Sequence, residues 1–521
     1  MFHRVSIAAV AALALCGTAG MAIHASAADD LRALLAKHAD YVGKPQGAVL
    51  TYRVESPQAA PASVPHADLG PAQEKTYRRA GLFHTIRRAE GVSFESGFDR
   101  RAYWTSNPNG YTVTERGEAA RRAITRNAVD AGVFPESTEV RERGTQTVDG
   151  KNAVVLRVTP HGGVPADVAL DPVTGGYVAV TFEPDDRYAR STRHYFGYEE
   201  IAPGVRVPAA YRNDDGDRYR LVENRVRPVT DEELRAPAPA PHWSFADETL
   251  PIEIEGSRKD LRSVYVHASI DGHPGKFLLD TGASQIVLYH PYVEKLGLAM
   301  LGDTAFSGVA GRTQSARYAR AQRIVFGAAT LSNVVVTVAA DDGAFAGFRS
   351  RGIDGIIGYD ALAGAVVHVD LIHQTIAFGD PAAVEPVLGK DAFAFPVNLA
   401  DETPEVAVEL GNVTTRATID TGNSGWIALS DNLHSSGRLV ALGGPVSYSV
   451  GVDGLADEPD PCYRLHEVAV GPYRYQNSFV CLGKERVFGR DGGLIGLDFL
   501  HHFNWTFDYA RSRVVLTPNG L

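Results

Sequence analysis

The chain has 521 residues, of which 44% are hydrophobic and 22% charged, with a formal net charge of -11. This is the composition of folded globular material in about two to four domains, which excludes disordered and fibrous classes. An acidic chain without a basic block is also excluded as a partner for nucleic acid or an anionic membrane surface.

Taken in chain order, residues 1–27 read as an export signal. Arg4 supplies the charge, "VSIAAVAALALCG" an apolar stretch too short to span a bilayer, and Ala25–Ala27 the small residues of a cleavage site. Cys16 follows Leu15, where a lipid-anchor signal carries a small residue. No later segment reads as a transmembrane helix, so the expected location is periplasmic or secreted.

Residues 28–235 form the next unit. Leu31, Leu34 and Leu35 have helical spacing, "GEAARRAITRNAVDAGVF" reads as a second helix, and short alternating strands with Gly, Pro and Asp at their turns fill the rest. The unit ends in "RAPAPAP", Arg235–Pro241, a stiff extended linker by composition, and residues 236–249 are assigned to the connection.

Beyond it the chain repeats itself. "VYVHASIDGHPGKFLLDTGAS" from Val264 matches "EVAVELGNVTTRATIDTGNS" from Glu405, and Asp280 and Asp420 lie 140 residues apart. "DGIIGYDAL" matches "GGLIGLDFL", and Asp370 matches Asp508, each pair 138 apart. Two similarly wired β units, 250–385 and 386–521, are therefore expected.

One DTG tripeptide carries little information, because chance produces it in roughly one chain of this size in several. Its plain explanation is an aspartate capping a tight turn, with Gly282 or Gly422 supplying an unusual dihedral. Two copies on duplicated units allow more. If the units pack about an approximate two-fold axis, Asp280 and Asp420 meet, and two carboxyls that close share one proton. One can then act as base toward a water while the other protonates a carbonyl oxygen, so that an amide is hydrolysed with no metal or cofactor.

The neighbouring residues suit that chemistry. Thr281 and Thr421 can hydrogen-bond across the axis, and Ser284 and Ser424 can bond the carboxylates or their turns. Ile356, Ile357 and Gly358, with Leu494, Ile495 and Gly496, can lay apolar strands beneath the turns, although buried strands ending in turns would read the same way.

These residues resemble the aspartic proteases, specifically tandem retropepsin-like domains of bacterial exported proteins, over about residues 250 to 521. The resemblance implies a mainly β, bilobal fold in which Asp280 and Asp420 are the catalytic dyad. Thr281 and Thr421 become a cross-lobe grip, and the two apolar-apolar-glycine segments become supporting loops. It also implies flap hairpins, for which Phe306–Arg320 and Gly443–Asp457 occupy the right intervals. More weakly, residues 29 to about 235 resemble the half-barrel of periplasmic lipoprotein-sorting carriers, a curved antiparallel sheet over helices, which implies a lipid or peptide ligand there.

In an oxidising compartment Cys462 and Cys481 are expected to pair, since they sit equidistant from a turn at Gly471-Pro472; two unpaired buried thiols are the alternative. His466-Glu467 lacks the second histidine of a zinc-protease helix, and His501-His502 reads as a surface or packing pair. There is no GxSxG elbow and no phosphate loop. The expectation is thus an exported, monomeric endopeptidase acting on peptides or proteins. Its rivals are a version completed by a second chain, and a non-catalytic binding protein for peptide or lipid.

Overall fold

The computed structural model describes residues 29–520 apart from 44–46, 56–71, 80, 90, 101, 116, 133, 135–136, 185–189, 215, 309–312, 341–345, 384–390, 436–441, 448–449, 452–453, 456–457 and 484–491. The signal segment, Cys16 and parts of both flap intervals lie outside the described residues.

Alternating apolar and polar residues make most of the chain into strands, and the fold is mainly β. The first sheet has 13 strands, all antiparallel to their neighbours where registers are resolved. It runs from Thr112–Glu115 back through the chain to Ala48–Glu55, which pairs with Arg218–Val226, and then down through earlier strands to Glu139–Val148. Strand Lys151–Thr159 shows why these segments pair: Ala153, Leu156 and Val158 are fully buried while Lys151 and Asn152 face water.

The expected helices form at 29–42 and Glu118–Asp130. The second buries a face of small residues, Ala119, Ala120, Ala123 and Ala128, so it approaches the sheet closely. It joins the two edge strands; Ala123 packs with Phe83 and Phe98 from one half of the sheet, and Thr125 exchanges hydrogen bonds with Val164, just beyond strand Lys151–Thr159 of the other. A flat sheet of 13 strands at about 4.8 Å each cannot touch one helix at both ends, so it curls around the helix. Between them lies a cavity of about 390 Å³ lined by Leu50, Tyr52, Tyr177, Tyr195, Tyr211 and Arg193.

After the extended connection the chain builds a 14-stranded and a 7-stranded sheet. The same pairings occur in both. His273–Leu279 pairs in parallel with Gly355–Ile357, which pairs antiparallel with Val287–Leu288; Val413–Ile419 pairs in parallel with Gly493–Ile495, which pairs antiparallel with Ile427–Ser430. The two halves join where Val366–Asp370 pairs antiparallel with Phe503–Asp508, Val366 opposite Asp508 and Val369 opposite Trp505. Trp505 and Phe507 are fully buried in the large cluster that spans both halves.

The connection is held at both sides. Ala240 donates its N–H to Asn109 O at 2.8 Å and accepts from Asn333 Nδ2 at 3.1 Å. Composition predicted its extended form, though not these anchors.

Candidate active site

Strand His273–Leu279 is apolar at its end, with Phe277 and Leu279 fully buried, and Val413–Ile419 ends the same way at the fully buried Ile419. Each strand delivers an aspartate into a turn. Asp280 N donates to Ile357 O at 3.0 Å, and Asp420 N to Ile495 O at 2.9 Å. The supporting segments therefore do lie alongside the two acids. Within each turn the glycine N–H donates to the preceding carboxylate, Gly282 to Asp280 Oδ1 and Gly422 to Asp420 Oδ1, both at 2.9 Å.

The two turns face one another. Thr281 N donates to Thr421 Oγ1 and Thr421 N to Thr281 Oγ1, each at 3.0 Å. The hydroxyls complete the exchange: Thr281 Oγ1 donates to Ile419 O at 2.6 Å and Thr421 Oγ1 to Leu279 O at 2.8 Å. Both threonines are buried, so four hydrogen bonds in a water-poor interior fix the turns relative to each other.

The glycines serve a steric purpose. A Cβ on Gly282 would lie 2.6 Å from the carboxyl carbon of Asp420, and one on Gly422 would lie 2.4 Å from that of Asp280. Neither glycine has a positive φ, so the unusual dihedral considered from the sequence is not what they supply. They allow each turn to sit over the opposite acid.

The two carboxyls lie close enough for each to shift the titration of the other. Burial pushes Asp280 up from the ordinary carboxylate range, against the influence of Asp420 and hydrogen bonds from Gly282 and Ala283. Burial likewise raises Asp420, and the negative charge of Asp280 pushes it well above that range. Together the pair retains a proton at a pH where isolated aspartates have lost theirs.

Ser284 and Ser424 form no hydrogen bond to the carboxylates among the described residues. Cys462 and Cys481 stand opposite each other in hairpin Asp460–Val470/Tyr473–Gly483 and are joined by a disulfide. The second strand of that hairpin pairs with Ile427–Ser430, which leads away from the Asp420 turn, so the bond lies in the same sheet as the site and outside it. His501 and His502 pack on one another, their rings tilted by 38° with centres 3.8 Å apart. In the first flap interval, Phe306 pairs with Gln314, leaving the tip outside the described residues.

Sequence reasoning missed two buried tyrosines. Asp280 helps raise the phenol of Tyr289, and both aspartates help raise that of Tyr509, in each case after burial itself. Nothing in "FDYARSR" marks Tyr509, because only the packing of the two halves brings it near the acids.

A family model described as aspartyl protease matches residues 266–361, which carry Asp280, Thr281, Gly282 and the Ile356–Gly358 support. None of the curated proteins compared with the chain matches it. Residues 266–361 thus belong to an aspartic protease-like domain.

Proposed function

We propose that the protein is an aspartic endopeptidase, exported to the periplasm or beyond, whose single active site is the Asp280–Asp420 pair. The observation that carries this reading is the symmetric exchange of hydrogen bonds between Thr281 and Thr421, which holds the two carboxyl-bearing turns face to face within one chain. A pair poised with one proton has both functions the hydrolysis needs. The ionised member takes a proton from water as the water attacks the peptide carbonyl carbon. The protonated member gives its proton to the carbonyl oxygen, and the tetrahedral species collapses as the amine leaves with a proton. Rigid turns matter because small misplacements of either carboxyl weaken this concerted exchange steeply.

Pairing within one chain supports a monomer over a site completed by a second copy. The test is cleavage of an unstructured peptide library by the mature protein from mildly acidic to neutral pH, beside Asp280→Asn and Asp420→Asn. The expected result is cutting by wild type and a loss of about a thousandfold or more in each variant. Cutting that survives either substitution overturns the shared dyad.

A second reading concerns the first unit and rests on its cavity of about 390 Å³. Its tyrosines and aliphatic residues stand beside Arg78, Arg193, Arg206, Glu74 and Asp130, a lining that suits a ligand with an apolar body and a charged end, such as a fatty acid or a peptide, and supports a binding role beside hydrolysis. Displacement of a fluorescent fatty acid or peptide from the full chain, lost on filling the cavity with Leu50→Trp, checks it.

A further inference from the structure

The turn between strands Tyr103–Ser106 and Thr112–Glu115 belongs to the first sheet and penetrates the rest of the molecule. "NPNG" at its tip, Asn107–Gly110, is ordinary turn sequence, yet Asn107 and Asn109 are only 5% and 2% exposed. Asn107 Oδ1 accepts the backbone N–H groups of Asn109 at 3.0 Å and Tyr111 at 3.2 Å, which locks the turn. Its Nδ2 donates to Asp360 Oδ1 at 2.9 Å. Asn109 matches a peptide group of strand Ala329–Ala339, donating to Val335 O at 2.9 Å and accepting from Val335 N at 2.7 Å.

Asp360 is two residues beyond Gly358, in the segment whose Ile357 O holds Asp280 N and whose Tyr359 N donates to Ala283 O at 2.9 Å. Glu402, in the loop before strand Glu405–Leu410 of the second half, lies near enough to Asn107 and Asp360 for both to affect its carboxyl, so the turn sits between an acid of each half. A line of rings runs in parallel: Tyr111 meets Tyr359 edge-on at 6.3 Å, and Tyr359 stacks on Tyr509 at 5.6 Å, close to both aspartates. The counterpart of Asp360 in the second half, Asp498, is exposed.

We infer that Asn107 and Asn109 are positioning residues for the Asp280–Asp420 pair, and that the first unit is a working part of the active site, clamping the loop beneath Asp280. This rests on reading that pair as a catalytic dyad. An asparagine fits position 107 because its oxygen is committed to the turn while its N–H remains for a carboxyl. The clamp also depends on proton occupancy. The titratable groups facing Asp360 are Glu402, Tyr111 and Tyr359, with Asp401 beside Glu402. Burial pushes Asp360 up to about 7 and Glu402 to about 8, the charge of Asp360 adding to the latter. The Asn107 N–H itself favours an ionised acceptor, so what ionisation adds against the clamp is repulsion between two neighbouring buried charges, Asp360 and Glu402, around one amide.

The test measures kcat and KM on one peptide across pH 4 to 8 for the full chain carrying Asn107→Ala or Asn107→Asp, with a thermal melt at each pH. Asn107→Asp keeps the oxygen that locks the turn and replaces the donor with a third carboxyl. Its kcat is expected to fall about tenfold or more near neutral pH and to recover to within about threefold of wild type toward pH 4, where that carboxyl protonates and can donate. Asn107→Ala is expected to lose a similar factor in kcat at every pH, with KM within about twofold of wild type. A folded Asn107→Asp protein with wild-type kcat at neutral pH overturns the inference. So does a loss that tracks the melting temperature and ignores pH. A wild-type protein that cuts nothing overturns the dyad reading itself and the inference with it, and is told apart by that control alone.

Discussion

The threonine hydroxyls and the glycine hydrogens carry the most specific demands at the scale of single residues. Replacing Thr281 by Val keeps the volume and leaves Thr421 N and Ile419 O without partners in a buried place. Stranding buried polar groups of this kind costs about 2–5 kcal/mol in all, so urea unfolding of Thr281→Val should show a loss of that size, and Thr281→Ser much less. Gly282→Ala places a methyl on the Asp420 carboxyl and is expected to abolish cleavage in a protein that still folds, as read by peptide hydrolysis beside circular dichroism. Asp420→Asn removes one of two mutually repelling buried acids. Its melting temperature should exceed that of wild type at pH 8 while its activity is lost, the pattern of a site that trades stability for chemistry.

Among elements, the hairpin Asp460–Val470/Tyr473–Gly483 was legible because it satisfies local rules. Its residues alternate, its turn is Gly471-Pro472, and the cysteines flank it symmetrically. Preventing the bond with Cys462→Ser and Cys481→Ser together releases a loop closed over 19 residues and should cost about 3 kcal/mol, measured by denaturant unfolding. Helix Glu118–Asp130 and the aspartate turns were legible for the same local reason, and the turns also by repetition. The Asn107–Gly110 turn was not. Its partner Asp360 lies 253 residues away, and no period or composition relates a hairpin tip to a loop that distant. Tyr509 escaped likewise, since its place beside the acids is made by pairing Val366–Asp370 with Phe503–Asp508. What the sequence conveyed was each element and the duplicated chemistry; what it concealed was the contact between units with unlike sequences.

At the scale of the whole molecule, the buried acids tie stability to pH. Asp360 has its carboxyl raised to about 7 by burial, against an ordinary value of 3.8. A raised folded value means that its contribution is fully present below about pH 4 and is lost as pH rises through about 7. The loss is at most about 1.4 kcal/mol per pH unit over that interval. Asp280, Asp420 and Glu402 are raised too and act in the same direction. The melting temperature should therefore fall between pH 5 and pH 8, and Asp360→Asn should flatten the slope; a melting temperature that rises over this range contradicts the assignment.

The pairing of Ala48–Glu55 with Arg218–Val226 has a consequence in time. The strand that completes the middle of the first sheet is the last that the unit possesses, and Ala48 finds Val226 only when nearly all of the unit has left the ribosome. Until then the sheet can exist only as two separate runs of strands, each paired with its chain neighbour, and Ala48–Glu55 offers one unpaired edge. Such distant pairing is slow to form and open to wrong partners. The first unit thus becomes whole only as the linker behind it emerges, so a chain interrupted before residue 226 would hold two unjoined halves of its sheet.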